Sequence, residues 1–313
     1  MSAEFSWLIE PGFVSNSTVR TAALVGGVVA FTAGVVGTFT VLRRQAFVGE
    51  ALGDVGATGG SGAYLVGVNP LWGFIGAALT AAGIIQGIGS EREHRRDLAT
   101  GIVLGASLGL AALFLYFDTT HTSTTGASIT VLFGSLFVIG GATVPAVLVL
   151  SAVVLGTVIV LYRLLLLTTL SPDLAAARGV PVRRVGVVHV LAMALAVSLA
   201  ALTIGAVLST ALLIGPPATA LRLVKRPGLA TIAAGVIGVV ATWLGILLAY
   251  DSYYWPPKTH GWPVSFLIVA VVFVLYLAAT GVTARRQRRQ DARRTEMTND
   301  RSPVAAAARL AGR

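Results

Sequence analysis

The chain has 313 residues, of which 55% are apolar and only 12% charged, and its mean hydropathy is +0.83. These values exclude a soluble globular domain and point to an all-α, polytopic membrane protein. Cysteine is absent, which excludes disulfides and thiolate metal sites. The net charge of +10 does not indicate nucleic acid, because the basic residues fall where membrane topology places them.

In chain order, MSAEFSWLIEPGF has neither a basic n-region nor an apolar h-region, so it is not a signal peptide. Apolar segments follow at 20–42, 47–67, 71–89, 98–117, 143–166, 186–203, 205–221, 229–249 and 263–283, giving about nine crossings. Segment 127–141 is apolar but short, and reads as a re-entrant piece or the start of the next helix.

Every second junction is basic: Arg43 and Arg44, then Arg92, Arg95 and Arg96, then Arg178, Arg183 and Arg184, then Arg222, Lys225 and Arg226, then the tail RRQRRQDARR. The positive-inside rule makes these junctions cytoplasmic, with the N-terminus outside and the C-terminus inside. The expected organisation is an extracellular segment 1–19, a transmembrane domain 20–284, and a basic, flexible cytoplasmic tail 285–313. Contact of the tail with anionic membrane lipid is an open alternative to simple solvation.

The second segment carries Glu50 and Asp54 within FVGEALGDVGATGG. At 1.5 Å per residue they lie roughly 9 and 15 Å beyond Arg44, around the middle of the membrane core. Residues four apart share a helix face, so both carboxylates can reach one ion. Charged groups at this depth are costly and mark function by default. The neighbouring glycines permit close helix approach, or local unwinding that frees carbonyl ligands. Two carboxylates with carbonyls and water suit Mn²⁺, or Zn²⁺ held loosely.

Between two crossings, within a cytoplasmic segment 168–185, Ser171, Pro172 and Asp173 make a helix start. Leu174, Ala175 and the residues to Arg178 form a short body, Gly179 ends it and Pro181 prevents continuation. The segment fits a coupling helix docking on an ATPase, or an ordinary connector. Further on, Gly205, Gly215, Pro216 and Pro217 interrupt an apolar run, as in a broken-helix transport path or a simple kink. His121 and His260 fall in external loops and read as solvated, whereas His189 reads as packed. Tyr250, Tyr253, Tyr254, Trp255 and Trp262 read as an external interfacial belt. No G-x-x-x-x-G-K-[ST] occurs, so energy for active transport comes from a partner or an ion gradient.

Three stretches resemble the permeases of zinc/manganese-type ABC importers. They are GVVGTFTVLRRQAFVGEALGDVGATGGSGAYLVG, LSPDLAAARGVPVRR and TIGAVLSTALLIGPPATALRL. The resemblance implies a transporter subunit rather than an enzyme, working as a dimer with a second copy or a paralogue. It also implies ATP-binding subunits on the cytoplasmic side, an extracellular metal-binding protein, and residence in a bacterial cytoplasmic membrane. The implied cargo is a divalent metal, Mn²⁺, Zn²⁺ or Fe²⁺, with no tightly bound cofactor. Where that family has Asp followed four residues later by His, this chain has Glu50 and Asp54. Replacing a nitrogen ligand by oxygen moves the site from Zn²⁺ towards Mn²⁺. Two other functions stay open, a proton-coupled secondary transporter and a membrane scaffold without transport, and the carboxylates themselves also read as protonated acids hydrogen-bonded to another helix.

Overall fold

The computed structural model describes residues 16–88, 93–121, 126–134, 136–137, 139–253 and 261–300. The described residues form helices α1 (Ser17–Leu42), α2 (Ala46–Val66), α3 (Pro70–Ile88), α4 (Glu93–His121), α5 (Ala127–Phe133), α6 (Val144–Leu170), α7 (Pro172–Ala177), α8 (Val182–Ile204), α9 (Ala206–Leu223), α10 (Pro227–Ser252) and α11 (Val264–Asp300). The nine long helices coincide with the nine apolar segments of the sequence. Eight of them are long and apolar enough to cross a membrane; α2, with its two carboxylates and six glycines, falls short on apolarity.

Helices α1 and α8 are the most buried and form the centre. Helix α1 packs on α6, α8, α9 and α10, while α2 packs on α3, α4, α8 and α9. Helices α4, α6 and α11 are mostly outward-facing, as apolar helices surrounded by lipid can be. Since lipid is as apolar as the helix surfaces, cohesion comes from close packing, which small residues allow. Gly34 shows the closeness: a Cβ there would stand 2.6 Å from the Ala234 carbonyl oxygen of α10. Between α2 and α3, Gly59 and Gly73 face each other's carbonyls, and a Cβ on either would overlap the opposing backbone.

Three sequence expectations change. Of the two readings of 127–141, the start of the next helix falls away: the stretch makes a separate seven-residue helix, α5, closed by Gly134, and α6 begins only at Val144. Gly205 breaks the chain between α8 and α9, but α9 runs on through Gly215, Pro216 and Pro217. A proline cannot donate to the carbonyl four residues back, so the interruption there is a missing bond rather than a broken helix. Finally, α11 continues to Asp300, where a flexible tail was expected from 285. The Arg- and Gln-rich run RRQRRQDARR that follows the crossing has high helix propensity.

The break at Gly205 is held by a second glycine. Gly205 (φ +94°) and Gly134 (φ +83°) both adopt conformations that side chains avoid. A Cβ on Gly205 would overlap the backbone of Leu132, and one on Gly134 the backbone of Thr203. The end of α5 therefore seats in the α8–α9 joint, and Ser265 at the start of α11 donates a hydrogen bond to the Phe133 carbonyl beside it.

Candidate functional site

Helix α2 builds the site through a division of its faces. Gly49 and Gly53 lie against α8 and α9: a Cβ at Gly49 would meet Leu213 and Met193, and one at Gly53 would meet Ser209 and Val197. Gly59 and Gly60 lie against Gly73 and Phe74 of α3. The glycines thus serve close approach, and α2 is a continuous helix from Ala46 to Val66. The local unwinding considered from the sequence does not occur, and the backbone carbonyls stay within the helix.

Glu50 and Asp54 take the remaining face. Glu50 is exposed and Asp54 half-buried, with Phe47 exposed one turn earlier. The face narrows where α4 covers it: Thr58 donates to the Ser107 carbonyl of α4 at 2.8 Å and to the Asp54 carbonyl at 3.2 Å. The carboxylate pair therefore opens outward from a single chain, at the end of α2 nearest the α1–α2 turn. Among the described residues, no three His, Cys, Asp or Glu side chains gather closely enough to hold a metal. Two carboxylates on one face can bind a hard divalent cation loosely, with water or another chain completing the shell.

The histidines do not join this pair. His189 is 1% exposed, packed edge-on to Phe39 at 6.2 Å, and neither ring nitrogen has a hydrogen-bond partner. It is a packed residue, as expected. The side chains of His94 and His121, and all of Tyr254, Trp255 and His260, lie outside the described residues. Tyr253 and Trp262 are exposed and fit an interfacial belt, whereas Tyr250 is half-buried.

Two acidic residues were missed by sequence reasoning, Asp118 and Asp251, the second buried in the last turn of α10 beyond the apolar segment that ended at 249. Asp118 is fully buried in the last turn of α4, near Tyr64 of α2. Hydropathy ended that segment at 117, one residue too early. The signal was the directly adjoining TTH, which lets the helix continue.

The segment after α6 has the anticipated local structure. Helix α7 begins with Pro172 in its first turn, followed by Asp173, and Gly179 (φ +76°) ends it. Ser171 occupies the N-cap position but makes no side-chain capping bond. Ala175 is buried and anchors the helix, while Asp173, Leu174 and Arg178 point outward. Leu174, 47% exposed, gives this polar edge an apolar contact point.

Alongside it, Arg43 at the α1–α2 turn reaches the last turn of α6. Burial lowers its guanidinium to about 10, so it stays cationic at neutral pH.

The manganese transport system membrane protein MntC of Halalkalibacterium halodurans is 32% identical over 237 residues, 74% of this chain and 78% of that protein. The manganese import system permease protein ScaB of Streptococcus parasanguinis is 29% identical over 242 residues, covering 76% of this chain and 82% of that protein. The solved structure of PsaBC from Streptococcus pneumoniae in complex with Fab superposes with a TM-score of 0.72 at 25% identity, covering 86% of this chain and 92% of the matched one. The model of the ABC 3 transport family matches residues 15–280, from α1 into α11 and including the carboxylate helix, and the chain belongs to that family.

Proposed function

We propose that the chain is the permease subunit of an ATP-driven importer for a divalent transition metal, with Mn²⁺ preferred over Zn²⁺ or Fe²⁺. The observation that carries this reading is the face of α2 on which Glu50 and Asp54 share one open side. Its all-oxygen donor set favours Mn²⁺ over Zn²⁺. The names of relatives such as MntC and ScaB point to the same metal.

A carboxylate exposed at membrane depth needs cover other than lipid. A second permease copy or a paralogue facing α2 would provide it, enclosing a path in which Glu50 and Asp54 act as transient ligands. Alternating access would move that path between the two sides. Outward-facing α7, with Asp173, Leu174 and Arg178 exposed, would receive a cytoplasmic ATP-binding subunit. An extracellular metal-binding protein would deliver the ion, and the Gly205 joint between α8 and α9 would bend along the path. The setting is a bacterial cytoplasmic membrane, with the N-terminus outside and the C-terminus inside.

The test is Glu50→Gln combined with Asp54→Asn. Manganese uptake is expected to be abolished while membrane insertion is retained. Wild-type uptake by the double variant would sink the assignment.

A further inference from the structure

The α1–α2 turn and the α6–α7 junction are joined by one side chain. Arg43, the C-cap of α1, donates from Nε to Thr169 Oγ1 at 2.9 Å, and from Nη2 to Thr168 Oγ1 at 2.5 Å and to the Leu165 carbonyl at 3.3 Å. Both threonine hydroxyls are already oriented, since each donates back to a carbonyl of α6: Thr168 to Leu164 and Thr169 to Leu165. Their lone pairs therefore face the guanidinium in fixed directions, and the three bonds hold a planar fork that Lys cannot reproduce. Thr168 and Thr169 belong to the last turn of α6, immediately before α7. On the other side, Arg44 takes a left-handed turn (φ +55°), and α2 starts at Ala46, one turn ahead of Glu50. A cleft of about 350 Å³ is lined by Arg43, Arg44 and Gln45 of the turn, by Thr168 and Thr169 of α6 and by Pro172 of α7.

We infer that Arg43 is a transmission residue: it passes displacement of α7 through the end of α6 to the α1–α2 turn, and so to the start of the carboxylate helix. A movement of α7 pulls on the last turn of α6, to which it is directly joined. The charge-assisted bonds resist stretching better than apolar contacts do, so the turn follows. A parallel route exists, because α7 also packs on α8 and α8 on α2. The inference is that the Arg43 route dominates. It rests on the reading of α7 as the segment receiving the ATPase, but not on which metal is carried.

Because the chain has no cysteine, a single Phe47→Cys probe in the first turn of α2, read on the permease chain after the subunits are separated, reports on that helix alone. The experiment uses the full permease with its ATP-binding subunits in proteoliposomes supplied with the extracellular metal-binding protein, and compares maleimide labelling of the probe with and without ATP and vanadate. Labelling is expected to change at least about threefold in the otherwise wild-type chain, and to lose that change with Arg43→Ala. Thr168→Val combined with Thr169→Val, which keeps side-chain shape, should lose it too, and Arg43→Lys should retain part of it. In the same vesicles, manganese taken up per ATP hydrolysed should fall in step while ATP hydrolysis persists.

A full labelling response in the Arg43→Ala chain overturns the inference. If that variant does not assemble, a full response in the threonine pair overturns it instead. A response lost in the variants, with no manganese uptake even by the wild-type complex, would overturn the metal reading and leave the transmission role standing.

Discussion

The carbonyl of Leu213 points at Gly37. Pro217 has no N–H to give it, so the α9 backbone leaves an acceptor without its helical donor, and α1 approaches there with no side chain. A Cβ at position 37 would also stand 2.8 Å from Pro217 Cγ and 2.9 Å from the Leu213 carbonyl carbon. Pro217, the Leu213 carbonyl and Gly37 therefore form one contact between helices far apart in sequence.

Gly37→Ala should consequently cost about 1–3 kcal/mol of stability, the usual penalty of overpacking. The measurement is thermal unfolding in detergent. Gly76→Ala is the control, since a Cβ there meets nothing within 4 Å and the exchange raises helix propensity. Equal melting of the two variants would contradict the packing described.

Gly205→Ala forces a side chain into a positive-φ position facing Leu132. We expect a loss of roughly 1–3 kcal/mol from backbone strain, with overlap adding to it. Reduced yield of folded protein, with unchanged synthesis, is the readout.

Asp54→His restores a nitrogen donor one turn from Glu50. The expected result is a shift in transport selectivity from Mn²⁺ towards Zn²⁺, because imidazole suits zinc better than a carboxylate does. Competitive uptake of the two ions checks it; an unchanged ratio would place metal choice elsewhere.

Leu174→Glu replaces the apolar contact point of α7 without touching the buried Ala175. Binding of the ATP-hydrolysing partner should weaken by about tenfold or more if Leu174 anchors the contact, as truncation of buried anchors commonly does. Co-purification of the subunits measures this, with the isolated permease's melting temperature as the folding control.

Topology is open to a direct check in a chain without native cysteine. Cysteines placed at Trp262 and Arg178 should react with impermeant reagents from opposite sides of the membrane, Trp262 from outside. Labelling of both from one side would refute the orientation drawn from the basic junctions.

Much of the fold was legible because lipid makes the code simple. Long apolar runs became long helices, and Pro172 and Gly179 bounded α7 as their backbone chemistry requires. Less legible were features that depend on a distant chain segment. Nothing near Gly205 announces Gly134, yet each fixes the other's surroundings. Pro216 and Pro217 looked like a break because local rules forbid their bonds, whereas packing from α1 keeps α9 whole. At the site, the spacing of Glu50 and Asp54 gave their shared face. Their direction away from α8 and α9 was set by which glycines those helices approach, and that is a tertiary choice.

The shortfall of α2 in apolarity bears on how the protein is made. A segment with six glycines and two carboxylates partitions poorly into lipid when it leaves the translocation machinery alone. Its neighbour α3 is long and apolar enough to cross a membrane, follows after a three-residue link, and meets it at Gly59 and Gly73 with backbones in near contact. Biosynthesis therefore favours delivering α2 and α3 together, as a hairpin whose second arm retains the first.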